Sequence, residues 1–159
     1  MKKLLVTMVS GLALLVGMAA PAAAATTGAQ TFTFVYIGNG DTATVAGAGP
    51  IQGSGGSVVL TDDGQGHGID KVTFKKGTFF VDHQDTSTTR SFNEKTCIAR
   101  FSGTGTYTLS GDTGAYAGAT GLGTYSYRGT FFGTRTATGC SDNGTVITVV
   151  KATGTTTLP

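Results

Sequence analysis

Between Gly103 and Tyr127 the chain reads GTGTYTLSGDTGAYAGATGLGTYSY, two alternating runs around an irregular centre. Successive side chains of a strand point to opposite faces, so the first run sets Tyr107 and Leu109 on one face and Thr104, Thr106 and Thr108 on the other. The second run repeats the pattern, with Tyr125, Tyr127 and Phe131 on one side and Thr124, Ser126, Arg128 and Thr130 opposite. A period of two cannot form the apolar stripe of a helix, so these are half-buried strands. The stretch 111–121 between them is too long and too rich in glycine for a two-residue hairpin. It reads as a structured connection, with Asp112 or Thr113 capping one helical turn over Ala115, Tyr116 and Ala117 and Gly118 or Gly121 ending it.

The same alternation recurs along the chain. QTFTFVYI at 30–37 aligns Phe32, Phe34 and Tyr36 on one face. A turn at Gly38–Asp41 and a shorter strand at Thr42–Ala46 follow, and five glycines and Pro50 make 47–56 a loop or irregular edge. Ser57–Thr61 is a short strand. Ile69–Lys75 and Thr78–Gln84 pair across Lys76 and Gly77, with Phe79, Val81 and His83 on one face and Phe80, Asp82 and Gln84 on the other. Asp85–Lys95 reads as a polar connection, Thr96–Ser102 as a strand containing Cys97, and Asp142-Asn143-Gly144 as a turn before a last strand at Val146–Lys151. The final GTTTLP reads as frayed. Eight or nine short strands joined by glycine-rich turns argue for an all-β, closed or nearly closed antiparallel barrel, with a two-sheet sandwich as second choice. Closure also removes sheet edges that this sparsely charged chain could not guard.

Residues 1–25 stand apart. Lys2 and Lys3 precede an apolar run from Leu4 to Ala20, Pro21 and small residues that permit cleavage after Ala24 or Ala25, the pattern of a secretory signal peptide. One domain over 28–159 remains. Lys2 and Lys3 carry the whole formal charge of +2, since nine later basic residues balance nine acidic ones. No basic cluster suggests nucleic acid, and after signal cleavage no membrane association is expected. Export leaves Cys97 and Cys140 in an oxidising compartment, where a disulfide is the default.

The polar loop Asp62–Asp70 (DDGQGHGID) invites a calcium reading through Asp62, Asp63, His67 and Asp70. The nonapeptide calcium repeat works by sharing ions between successive turns, and here it occurs once. An EF-hand needs a glutamate at the twelfth position, which is missing. A solvated turn is preferred, with a metal site as the alternative. There is no G-x-S-x-G, no H-E-x-x-H and no cysteine–histidine pair to suggest a hydrolase.

The run Gly105-Thr106-Tyr107-Thr108-Leu109-Ser110-Gly111 and its continuation to Gly121 resembles the glycine-rich region of the dirigent and allene oxide cyclase barrels, particularly in small exported bacterial proteins. The segments Lys76–His83 and Lys95–Cys97 are also similar, so the resemblance covers about 71–127. It implies an antiparallel eight-stranded, calycin-like β-barrel that holds a small hydrophobic molecule and uses no cofactor. The expected function is a secreted protein that binds a small apolar or aromatic ligand in its barrel. Candidate lining residues are Phe32 and Phe34, then Phe74, Phe79, Val81 and His83, and finally Tyr107, Tyr125 and Tyr127. Two alternatives are a cofactor-free isomerase or coupling-directing protein, with His83 as acid–base candidate, and an extracellular interaction or surface protein with a filled barrel.

Overall fold

A computed structural model describes residues 24–38 and 41–159. Nearly all of the expected signal peptide, and two residues of the first turn, lie outside the described residues. The chain forms eight strands: β1 Thr26–Gly38, β2 Thr42–Ala48, β3 Gly53–Val59, β4 His67–Phe74, β5 Gly77–Asn93, β6 Ile98–Gly114, β7 Thr120–Thr136 and β8 Gly139–Leu158. Every strand pairs antiparallel with its sequence neighbours, and β8 pairs with β1, so the sheet closes into a ring. The fold is all-β. No helix among the described residues is long and apolar enough to cross a membrane.

The inner faces of β6 and β7 show why this sequence alternates large residues with glycine. Their register sets Phe101 against Gly129, Gly103 against Tyr127, Gly105 against Tyr125, Tyr107 against Gly123 and Leu109 against Gly121. Each rung thus holds one large side chain and one glycine. The large residue lies over its partner, so a Cβ built on Gly123 would stand 2.8 Å from Tyr107 Cε1, and one on Gly103 would stand 2.5 Å from Tyr127 Cζ. Both are closer than real Cβ contacts come, so these glycines serve as seats for rings. Phe74 sits against Gly53 and Gly56 in the same way.

One end of the ring is filled. Phe79 is fully buried and packs on Phe32 and Phe74, with centroids 5.5 and 6.2 Å away. Burying such a ring contributes roughly 2–3 kcal/mol. Two connections fold inward to complete this plug. The turn after β6 inserts Tyr116 edge-on against Phe74 and Phe79. The turn after β2 inserts Ile51, held by the buried Gln30, which accepts from Ile51 N at 2.8 Å and donates to Ile51 O at 2.9 Å. Opposite the plug, β5–β8 extend beyond the shorter strands. There the predicted disulfide forms between Cys97 and Cys140, 43 residues apart in sequence, tying the β5–β6 turn to β8. Closing a loop of that length contributes about 4 kcal/mol in the chain-entropy model.

Several sequence expectations are corrected. The polar connection at Asp85–Lys95 is strand as far as Asn93, because threonine and serine on both faces are compatible with a ribbon that is hydrogen-bonded to β6 and solvated. Cys97 stands in the turn after it, with φ of 56°, and the next strand starts at Ile98. The turn expected at 142–144 lies within β8, where the β7 pairing shifts register between Gly133 and Thr134, and the reversal comes at 137–138. The C-terminal residues are not frayed. Thr155 to Leu158 pair with β1 and, as far as Thr157, with β7. No helix forms at 115–117; the segment is a turn with Tyr116 N to Thr113 O and Ala117 N to Gly114 O bonds, ended by Gly118 at φ +75°. The glycine-rich 47–56 contributes residues to both β2 and β3.

The ring-on-glycine rungs predict a specific coupling. A Cβ on Gly129 would overlap the Phe101 ring and approach Thr148 Oγ1 to 2.6 Å, all of it side chain. Gly129→Ala is expected to cost about 2 kcal/mol, lowering the melting temperature by roughly 6–10 °C. Combining it with Phe101→Ala should recover at least ~1 kcal/mol in a double-mutant cycle measured by urea unfolding. Additive losses would show that ring and glycine act independently.

Candidate functional site

Above the plug the ring encloses a cavity of about 490 Å³. Its walls are Phe32, Phe34, Val81, Tyr107, Val150 and Ala152, and its polar groups gather toward the end away from the plug. That polarity arises from β5. The alternation Phe79, Val81, His83 continues to Asp85, so one strand face passes from plug through cavity wall to two ionisable groups. The β5–β6 register then shifts between Asp85 and Ser87, a bulge that lets Thr88, opposite Gly103, follow Asp85 on the inner face.

Asp85 is the hub. Its carboxylate accepts from Tyr125 Oη at 2.6 Å, Tyr127 Oη at 2.8 Å and Thr88 Oγ1 at 3.2 Å. The two tyrosine rings stack with centroids 6.3 Å apart. The seats at Gly103 and Gly105 let both rings lean toward β5. Burial, followed by the Asp85 hydrogen bond and its charge, drives the Tyr125 hydroxyl far above the ordinary tyrosine range. Burial likewise raises Tyr127, with Thr88 opposing and Asp85 adding to the rise. Both are therefore neutral hydrogen-bond donors at neutral pH, with their protons committed to Asp85.

His83 forms the second group. Its Nε2 stands 3.5 Å from Asp70 Oδ2, with both side chains largely buried, and its ring meets Tyr125 edge-on at 5.9 Å. Asp70 is held in turn by Thr61 N, which donates to its Oδ1 at 3.1 Å. The Asp70 hydrogen bond raises the His83 pKa above 6.5, against the opposing effect of burial and with further help from the charges of Asp70, Asp62 and Asp85. A cationic imidazolium flanked by carboxylates is thereby favoured.

Of the residues expected to line a pocket, Phe32, Phe34, Val81, His83, Tyr107, Tyr125 and Tyr127 do so, whereas Phe74 and Phe79 lie in the plug. The four residues of the possible calcium loop are divided. Asp62 and Asp70 line the cavity, while His67 lies outside it, 3.7 Å from Asp63 and 3.2 Å from Asp82. Asp62 and Asp63 also accept backbone bonds from Gly64 and Gln65 at 2.6 and 2.7 Å, so the loop is organised by its own side chains. Among the described residues no three histidine, cysteine, aspartate or glutamate side chains are grouped to hold a metal ion. Asp85 opens the segment that reads in sequence as a polar connection, which hides it as a site residue. The alternation that marked His83 would have found it two residues on.

The His83–Asp70 pair makes a signed prediction. A raised folded-state pKa means that the pair's contribution to stability is fully present below about pH 6.5 and is lost as pH rises through the raised value. In ¹H–¹⁵N titration the His83 imidazole should show a midpoint above 6.5, returning toward or below it in Asp70→Asn. The same substitution should remove this component of the fall in stability across the window. A wild-type midpoint at or below 6.5 would refute the pairing.

No family model, curated protein or solved structure matches this chain.

Proposed function

We propose that this is an exported protein whose closed sheet is a calycin-like barrel of the dirigent and allene oxide cyclase type, and that it binds a small apolar or aromatic molecule. The observation carrying this reading is the cavity of about 490 Å³, apolar along its walls and polar toward one end, the usual form of a small-molecule site. The plug bears on the alternative of a filled barrel: one end is packed by Phe74, Phe79, Tyr116 and Ile51, while the volume beside Phe34, Val81 and Val150 is open. Export is supported by the leader-like residues 1–25 and by a disulfide suited to an oxidising compartment. The resemblance of the glycine-rich run to the dirigent and allene oxide cyclase region supports the family.

A second reading, cofactor-free isomerisation or radical-coupling control, is favoured by one arrangement. His83 with Asp70 can exchange a proton, while the tyrosines held by Asp85 stay protonated on the adjoining wall. Any such activity that survives His83→Ala unchanged would remove this reading.

Binding is tested by thermal shift and native mass spectrometry against a panel of lipids and phenolics. A ligand at a hundredfold its Kd should stabilise the protein by about 2.7 kcal/mol, a rise of several degrees. Val150→Trp, which puts an indole into the cavity, should abolish the shift while preserving the far-ultraviolet circular dichroism of the sheet. A shift untouched by Val150→Trp would exclude binding in the cavity, and a silent panel would exclude lipids and phenolics as its ligands.

A further inference from the structure

The polar groups of the cavity differ in kind from those that hold an acidic ligand. Asp41, Asp62, Asp70 and Asp85 all line it, a single histidine accompanies them, and neither lysine nor arginine does so among the described residues. The donors at the polar end are mostly engaged, and the unpartnered Tyr107 hydroxyl is shut off from the open volume. The Tyr125 and Tyr127 hydroxyl protons go to Asp85, and His83 Nε2 faces Asp70. What these groups offer an incoming molecule is therefore mainly acceptor oxygen, on the carboxylates and on the lone pairs of the two tyrosine hydroxyls. A carboxylate accepts about four hydrogen bonds, and Asp85 receives two from the tyrosines and competes with Tyr127 Oη for the single Thr88 proton.

One further feature points the same way. The stacked Tyr125 and Tyr127 rings lie beside the carboxylate, and aromatic faces attract cations held near them. Negative charge, committed donors and aromatic faces thus converge above an apolar chamber.

We propose that the molecule taken by this cavity is a cationic amphiphile, a protonated amine carried on an apolar or aromatic body, and not a carboxylic acid. This deepens the ligand-binding reading and rests on it. The ammonium group would lie at the polar end among Asp85, Asp70 and Asp62, with the body against Phe32, Phe34 and Val150. A carboxylate in the same place would face like charge and find few free donors.

The test uses three probes with one body and different heads: 4-phenylbutylamine, 4-phenylbutan-1-ol and 4-phenylbutanoate, titrated calorimetrically into the folded, oxidised protein at pH 7. The amine should bind at least tenfold more tightly than either other probe. Raising the salt concentration should weaken the amine and leave the alcohol unchanged. Asp85→Asn should reduce amine affinity at least fivefold without weakening the alcohol. Asp62→Asn provides the same comparison from the exposed rim if removing the Asp85 charge unsettles the wall. The carboxylate or the alcohol binding as tightly as the amine would overturn the charge assignment while leaving cavity binding intact. Binding of none of the three also overturns it, and if the lipid and phenolic panel is silent too, the binding reading falls with it.

Discussion

The seating of rings on cross-strand glycines is the interaction on which the rest of the structure depends. Glycine normally weakens a strand, since it packs no side chain and surrenders the most backbone freedom on folding. Across β6 and β7 that weakness is offset because Phe101, Tyr107, Tyr125, Tyr127 and Leu109 each cover a glycine on the opposite strand. The geometry also governs the interior. Two large residues on every rung would fill the lumen, whereas a ring paired with glycine lies along the wall and leaves space beyond it. The open volume and the stability of this wall have a common cause.

Polarity is distributed along the ring with similar economy. At the plug, Tyr116 and Ile51 arrive from connections, and Gln30 bonds both the N–H and the carbonyl of Ile51, so the inserted residue brings its peptide groups in already paired. Toward the other end, β5 carries the ionisable groups on the same face as its core residues. The bulge after Asp85 then allows Thr88 to join Tyr127 and Asp85 in one hydrogen-bonded group. The polar loop after β3 reaches this group from outside: Gly66 O accepts from Asp85 N at 2.7 Å. Asp62 and Asp70, which flank that loop in sequence, therefore meet Asp85 at the cavity even though their neighbours Asp63 and His67 remain outside.

Much of the fold was legible where apolar residues alternate. Phe32 and Phe34, Phe79 and Val81, and Tyr107 and Leu109 each reveal an inner face, and the expectation of an oxidising compartment pointed to the Cys97–Cys140 disulfide that forms. The errors fell where a local signal has two meanings. Asp142-Asn143-Gly144 is a strong turn sequence that pairing absorbs into β8 as an irregularity. Ser, Thr and Arg at 86–91 are polar on both faces, and only their bonds to β6 make them strand. The C-terminal threonines look unanchored until β1 and β7 are placed on either side of them.

The sequence by itself determined that this chain forms antiparallel strands with aromatic inner faces, because a side-chain period of two is a local property of the extended backbone. It also marked His83 as a polar residue among core neighbours. Tertiary structure alone decided that Phe74 and Phe79 join a plug while Tyr125 and Tyr127 border a cavity, since that distinction depends on which connections fold inward. It likewise joined Asp70 to His83 and Asp85 to Tyr125 across separations of 13 and 40 residues. Such contacts are set by strand register and ring closure, which no alternation pattern specifies.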